Sequence, residues 1–141
     1  MTDQEFYAPK NMDLFTPDGV EFIYTILDGT QTFPRNTSEA RKYGLQILEK
    51  LLEKELIEVF RWSNKENDFS KEGILKYVES VWFVGADFID FLSMPMFKYK
   101  DWYINALEDK GLTSTTFFRT FVKEELGDIG DFIEKNRPKM L

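Results

Sequence analysis

The chain predicts a mainly helical α+β fold, with about five helices packed around a long central helix and a short strand or hairpin. Three observations carry this expectation. In residues 36–62 the apolar positions Ala40, Tyr43, Gly44, Ile47, Leu48, Leu51 and Leu52 recur by threes and fours, so they share one side of a helix, while Arg41, Lys42, Gln46, Glu49, Lys50 and Glu53 fall elsewhere. At Lys54 that period fails, and Ile57, Val59, Phe60 and Trp62 bring the β-branched and aromatic density of a strand. Downstream, Ser70, Gly85, Asp101, Gly111 and Asp128 divide the chain into pieces of helical length.

In order, residues 1–15 read as an extended arm laid on the core through Phe6, Tyr7, Leu14 and Phe15, because Pro9 opposes regular helix. Thr16-Pro17-Asp18-Gly19 then resembles a helix start, with Thr16 as N-cap, Pro17 in the first turn and Asp18 facing the helix dipole. A helix to about Asp28, closed by Gly29, turns Val20, Ile23, Tyr24 and Leu27 inward. The same run also suits a strand closed by an Asp28-Gly29 hairpin turn, so residues 20–27 remain open between helix and strand.

Asn36 and Glu39 make a capping box for the central helix, whose stripe runs to about Glu53; residues 57–62 follow as a short strand and 64–68 as a polar turn. Ser70 caps a third helix over residues 71–83, with Ile74, Leu75, Val78, Val81 and Trp82 inward, and Gly85 ends it. Residues 86–92 form a short helix or an irregular link. Pro95 forces a break and leaves Met94, Met96 and Phe97 in an apolar loop, either a lid over the core or a contact surface. Asp101 opens a fourth helix that carries Trp102, Ile104, Ala106 and Leu107 to Gly111. Thr113 or Ser114 opens a fifth, with Phe117, Phe118, Phe121, Val122 and Leu126 inward. Asp128 starts a last turn or two with Ile129, Phe132 and Ile133, and residues 137–141 read as a mobile tail. Residues 1–141 show no repeat and no Pro-, Gly- or Ser-rich linker, so one globular domain is expected.

At 141 residues, 43% hydrophobic and 16% aromatic, the chain can bury about two thirds of its unfolded surface without a metal or disulfide. It contains neither Cys nor His. Thiolate metal sites, cysteine nucleophiles and His-based triads are therefore excluded, and any metal site must be built of carboxylates suited to magnesium or calcium. No cofactor is expected. The acidic Met1-Thr2-Asp3-Gln4-Glu5 start has no secretory pattern and no apolar run is long enough to span a bilayer, so the expected location is cytoplasmic. A net charge of −7 disfavours nucleic acid and favours a basic partner. A helix running into Leu-Ile-Glu-Val-Phe suggests a winged helix, but Glu39, Glu49, Glu53 and Glu55 balance its cations and no Arg-rich reading surface is present downstream.

Candidate chemistry is sparse. Asp87 and Asp90 are three residues apart and on a helix would share a face able to hold a hard cation, or they are simply a cap and a solvent residue. Asp128 and Asp131 pose the same question, and a dipole role suffices for Asp128. Trp82 reads as core, while Trp62 and Trp102 are open between core and an aromatic surface with Tyr99 and Tyr103.

The runs QILEKLLEKELIEVFRW, SKEGILKYVESVW and MFKYKDWYINALEDKGL resemble the small acidic immunity proteins that bacteria encode beside polymorphic or contact-dependent toxins. The resemblance spans about half the chain and implies a cytoplasmic, non-enzymatic inhibitor that covers or distorts the active site of one toxin domain. A basic toxin domain would be steered by the acidic chain. The expected partner-binding residues are Asp87, Asp90, Asp101, Trp102, Tyr103 and Glu108. Two other classes stay open: an adaptor or regulatory subunit, including a homodimer, and a metal-dependent hydrolase built on Asp87 and Asp90.

Overall fold

The computed structural model describes residues 1–17, 21–23, 30, 37–62, 68–86 and 88–138. It is mainly helical α+β, as expected: seven α-helical segments among the described residues surround a three-stranded antiparallel sheet of order β1-β3-β2.

The N-terminal region is helical rather than extended. Thr2 accepts the Glu5 N–H and caps α1 (Asp3–Phe6), and a 3-10 segment (Pro9–Phe15) comes next with Pro9 at its start, where a missing N–H costs nothing. Phe6, Leu14 and Phe15 are buried in the common core. The fully buried Asn11 donates to the Glu5 and Phe6 carbonyls and accepts from the Tyr43 hydroxyl at 2.9 Å, so its burial leaves no polar atom unmet. Asp13 accepts both arms of the Arg119 guanidinium at 2.9 and 3.2 Å.

Thr16 ends the 3-10 segment instead of opening a helix, and β1 (Glu21–Phe22) pairs with β3, so the expected helix does not run through residues 21 and 22. The rest of the helix-or-strand question at residues 20–27 lies outside the described residues, apart from Ile23, which is helical and buried. α2 (Ser38–Glu53) buries Ala40, Gly44, Ile47, Leu48 and Leu51, the predicted stripe. Its cap is Thr37, whose hydroxyl accepts from Ala40 N–H at 3.1 Å, in place of the expected Asn36, which lies outside the described residues.

α2 ends in a left-handed turn. Glu55 has φ 58°, the Leu56 N–H reaches back to the Leu51 carbonyl at 3.0 Å, and the Glu55 N–H reaches Leu52 at 3.1 Å. This paired closure satisfies two end carbonyls and usually places Gly at the left-handed position, since an L side chain there costs about 1–2 kcal/mol. Here a glutamate takes it. Leu51 and Leu56, the apolar pair that brackets such a cap, are both fully buried.

β2 (Ile57–Arg61) pairs with β3 (Met96–Tyr99) in the register Ile57 to Tyr99, Glu58 to Lys98 and Val59 to Phe97, then shifts at a bulge before Arg61 pairs with Met96. β3 corrects the sequence reading: the expected apolar loop around Met96 and Phe97 is the central strand of the sheet. Pro95 breaks the chain as predicted, but the next four residues form a strand whose side chains alternate between half-buried and buried. α3 (Lys71–Val81) is capped by Ser70 as expected and packs on α2. α4 (Phe88–Phe91) is a single turn, and α5 (Asp101–Asp109) starts as soon as β3 ends.

α6 (Phe118–Phe121) begins later than expected and widens into a π-type turn (Val122–Leu126), with Gly127 N–H bonded to the Val122 carbonyl. Phe117 is therefore not inward; it is 84% exposed. α7 (Ile129–Asn136) is capped by Asp128, which accepts from Asp131 N–H at 2.8 Å, and buries Ile129, Phe132 and Ile133. Of the expected tail, Arg137 is ordered by its N–H bond to Ile133 and residues 139–141 lie outside the described residues.

The strained cap gives the first prediction. Glu55→Gly should raise stability in urea titration by about 0.5–1 kcal/mol, because relief of the left-handed strain exceeds both the entropy of glycine and a 3.9 Å pair to Lys100. A loss of stability would show that the glutamate side chain holds the turn.

Candidate functional site

Two clusters of charge compete as the site. The first centres on Lys54, at the end of α2 and 4% exposed. Its ammonium lies 2.6 Å from Glu134 and 2.9 Å from Asp3; Lys50 meets Asp3 at 2.7 Å, Arg137 meets Glu134 at 3.2 Å, and the Tyr7 hydroxyl donates to Glu134 at 3.0 Å. Tyr7 lies so close to α7 that a Cβ on Gly130 would fall 2.8 Å from its ring, so only glycine fits there.

Hydrogen bonds from Lys50 and Lys54 hold the Asp3 carboxyl down at about 2. Desolvation raises Glu134, but the bonds from Lys54 and Tyr7 outweigh it and the net shift is downward. Desolvation likewise lowers Lys54, while Glu134 and Asp3 more than reverse it. Burial, reinforced by Glu134, pushes the Tyr7 hydroxyl far above its ordinary range. Every charge in this cluster is answered from within, and a groove of about 370 Å3 beside it is lined by its Asp3 and Glu134 together with Asp128 and Asp131. It ties the first and last helices to the central one and leaves no charge free for chemistry.

The second cluster is the junction where α2 turns into β2 and β3 turns into α5. Trp102 Nε1 donates to the Glu55 carbonyl at 2.6 Å, which fixes the first turn of α5 against the helix cap. The Tyr103 hydroxyl donates to the Phe15 carbonyl from a fully buried position, and burial raises its ionisation well above the ordinary range. Tyr103 thus leaves the expected partner surface and becomes core, and Trp102 is half-buried with its polar atom used inward.

What α5 turns outward is acidic. Asp101, Asn105, Glu108 and Asp109 are exposed at the spacing of one helical face. Among the described residues none of the three carboxylates has an ion-pair partner. Asp101 also sits in the first turn, where the helix dipole favours it. Asp109 was missed from the sequence, although its spacing of eight from Asp101 marks it.

The structure therefore brings Asp101 and Glu108 together on α5. Asp90 is half-buried on a different element, α4, and Asp87 lies outside the described residues. Among the described residues no three carboxylates converge as a metal site. Trp82 is core, edge-on to Phe91 at 5.0 Å, whereas Trp62 stacks on the exposed Phe69 at 5.4 Å and meets Tyr77 edge-on at 4.9 Å. No described helix is long and apolar enough to cross a membrane.

The Lys54 cluster generates a pH prediction. A carboxyl depressed in the fold contributes stability that is full above its ordinary value of 3.8 and is lost as pH falls towards 2. Asp3→Asn should therefore flatten the acid limb of the stability curve between about pH 4 and 2, by about 1 kcal/mol once solvent screening of this half-exposed group is allowed for. Lys54→Ala, measured at pH 7, should cost about 2 kcal/mol by leaving two carboxylates without their cation. Guanidinium titrations across pH check both, and an unchanged acid limb in Asp3→Asn would remove the linkage. No protein-family model, curated protein or solved structure matches this chain.

Proposed function

We propose that the chain is a non-enzymatic protein-binding module, an immunity protein that neutralises a cognate bacterial toxin domain by binding it. The observation that carries this reading is the solvent face of α5, where Asp101, Glu108 and Asp109 have no ion-pair partner among the described residues, on a chain of net charge −7. Unanswered charge on a rigid helix is poorly used for stability, and it steers a basic partner and sets its orientation. The helix is held rigidly, by Trp102 on the α2 cap and by Tyr103 in the core. The sequence runs that resemble immunity proteins include this helix, and the absence of His and Cys leaves few catalytic alternatives.

A second reading, an adaptor or a homodimer, is favoured by the exposed apolar side chains Phe60, Phe69, Phe83 and Val84. Sedimentation over a hundredfold concentration range separates the two, since a stable dimer without toxin binding supports the adaptor.

The direct test begins with the neighbouring genes, where this reading expects a toxin, and co-expresses its toxin domain with the chain. Growth should be restored, and the combined Asp101→Lys, Glu108→Lys and Asp109→Lys variant should lose that protection with at least about a hundredfold weaker binding by calorimetry at low salt. Its melting temperature should shift by only a few degrees, because only the dipole contribution of Asp101 is lost. Undiminished binding by the triple variant would remove α5 as the interface; absence of protection by the parent chain would remove the immunity reading.

A further inference from the structure

α2 and α3 run antiparallel: Leu52 lies beside Lys71 and Ile74 at one end, and Arg41 lies beside Glu79 at the other. The Arg41 guanidinium donates to the Trp82 carbonyl and, at 2.7 Å, to the Glu79 carbonyl, which locks the end of α3 to the start of α2. Between the helices lies a groove of about 470 Å3, floored by the half-buried Leu45 and Leu75 and edged by Arg41, Lys42, Glu49 and Glu79. Two cations and two carboxylates balance there, on a chain whose net charge is −7.

The order of the charges along each helix is the telling feature. On α2, Lys42 lies three residues before Leu45 and Glu49 four after it; on α3, Lys71 lies four before Leu75 and Glu79 four after it. Steps of three and four keep each set on one stripe of its helix. Both helices therefore place a cation before, and a carboxylate after, a leucine of the groove floor. Within one copy the two opposite charges of a helix are about 10–12 Å apart along its axis, too far to pair. Among the described residues none of these four side chains makes an ion pair.

A two-fold axis through Leu45 and Leu75, across both helices, sets α2 antiparallel on α2 of a second copy and α3 antiparallel on α3. It lays each leucine on its mate, Lys42 against Glu49 of the other copy and Lys71 against Glu79 of the other copy. Phe69 and Phe83, both more than half exposed, stand at opposite ends of α3, so the Phe69 end of one copy meets the Phe83 end of the other. A parallel arrangement would oppose like charges. A purely acidic or purely basic partner would be repelled by half of this pattern, whereas a copy of the chain matches all four charges.

We propose that this face is where the chain associates with itself, an isologous dimer formed by α2 and α3 about Leu45 and Leu75. The proposal rests on the homodimer reading above and names its surface and orientation.

Sedimentation equilibrium of the full chain, over a hundredfold concentration range reaching millimolar, should show a reversible monomer–dimer equilibrium. Lys42→Glu and Glu49→Lys, both at exposed positions, should each weaken the dimer at least about tenfold by opposing like charges. The two change the net charge in opposite directions, so weakening by both is not a net-charge effect. An equimolar mixture of these two variants should recover the dimer as a heterodimer, because the two carboxylates of one then face the two ammoniums of the other. The variant that carries both substitutions should dimerise like the parent, and Glu79→Lys should weaken the dimer as the other single variants do. A chain that stays monomeric throughout overturns both the homodimer reading and this surface. A dimer indifferent to the single variants, or weakened by them without recovery on mixing, overturns this surface and leaves the homodimer reading standing. Toxin binding lost in Lys42→Glu from a monomeric parent makes the toxin the occupant and overturns self-association.

Discussion

Three consecutive residues, Lys54, Glu55 and Leu56, hold the structure together at one corner. The Lys54 ammonium collects Asp3 from the first helix and Glu134 from the last. Glu55 takes the left-handed conformation that ends α2, and its carbonyl receives the Trp102 indole. Leu56 closes the cap with its N–H, accepts Lys100 N–H with its carbonyl and buries its side chain completely. If the helix ended one residue later, the strand would enter with its other face to the core, because side chains alternate with a period of two. The pairing of β2 with β3 and the start of α5 both depend on where this turn is made.

The same corner separates what is structural from what is available to a partner. Trp102 and Tyr103 are spent inward, on Glu55 and on Phe15, and the Tyr99 hydroxyl likewise donates to the Leu14 carbonyl. These aromatic anchors clamp the N-terminal segment and α5 to the sheet, which is why residues 1–15 are integral to the core. With the aromatic residues withdrawn, what α5 turns outward among the described residues is the set of carboxylates Asp101, Glu108 and Asp109. Under the proposed reading these carboxylates serve recognition by charge, with the rigid scaffold supplying orientation.

Legibility from sequence tracked the range of the interactions involved. The α2 stripe, the strand after Lys54, and the Ser70 and Asp128 caps were readable because each depends on neighbours within four residues. β3 was not. Its four residues are too few for a period to emerge, and Phe97 is a strand residue because Val59 and Glu21 lie on either side of it. Phe117 failed for a related reason: a run of phenylalanines carries no phase, and only the late start of α6 and its π-type turn decide which of them faces out. In the candidate site, Asp101 and Glu108 are singled out in the sequence as carboxylates beside aromatic residues, and both lie exposed on α5, whereas Tyr103 reads as surface because its hydroxyl partner, the Phe15 carbonyl, is 88 residues away.

The sequence by itself determined the mainly helical α+β class, the central helix, the acidic charge and the exclusion of His and Cys chemistry, since composition and short-range periodicity are properties of the chain alone. Tertiary structure decided the middle strand of the sheet, the burial of Tyr103 and the answering of every charge around Lys54. Each of these depends on a partner far along the chain, and the spacing of residues in sequence holds no information about which distant groups folding will bring into contact.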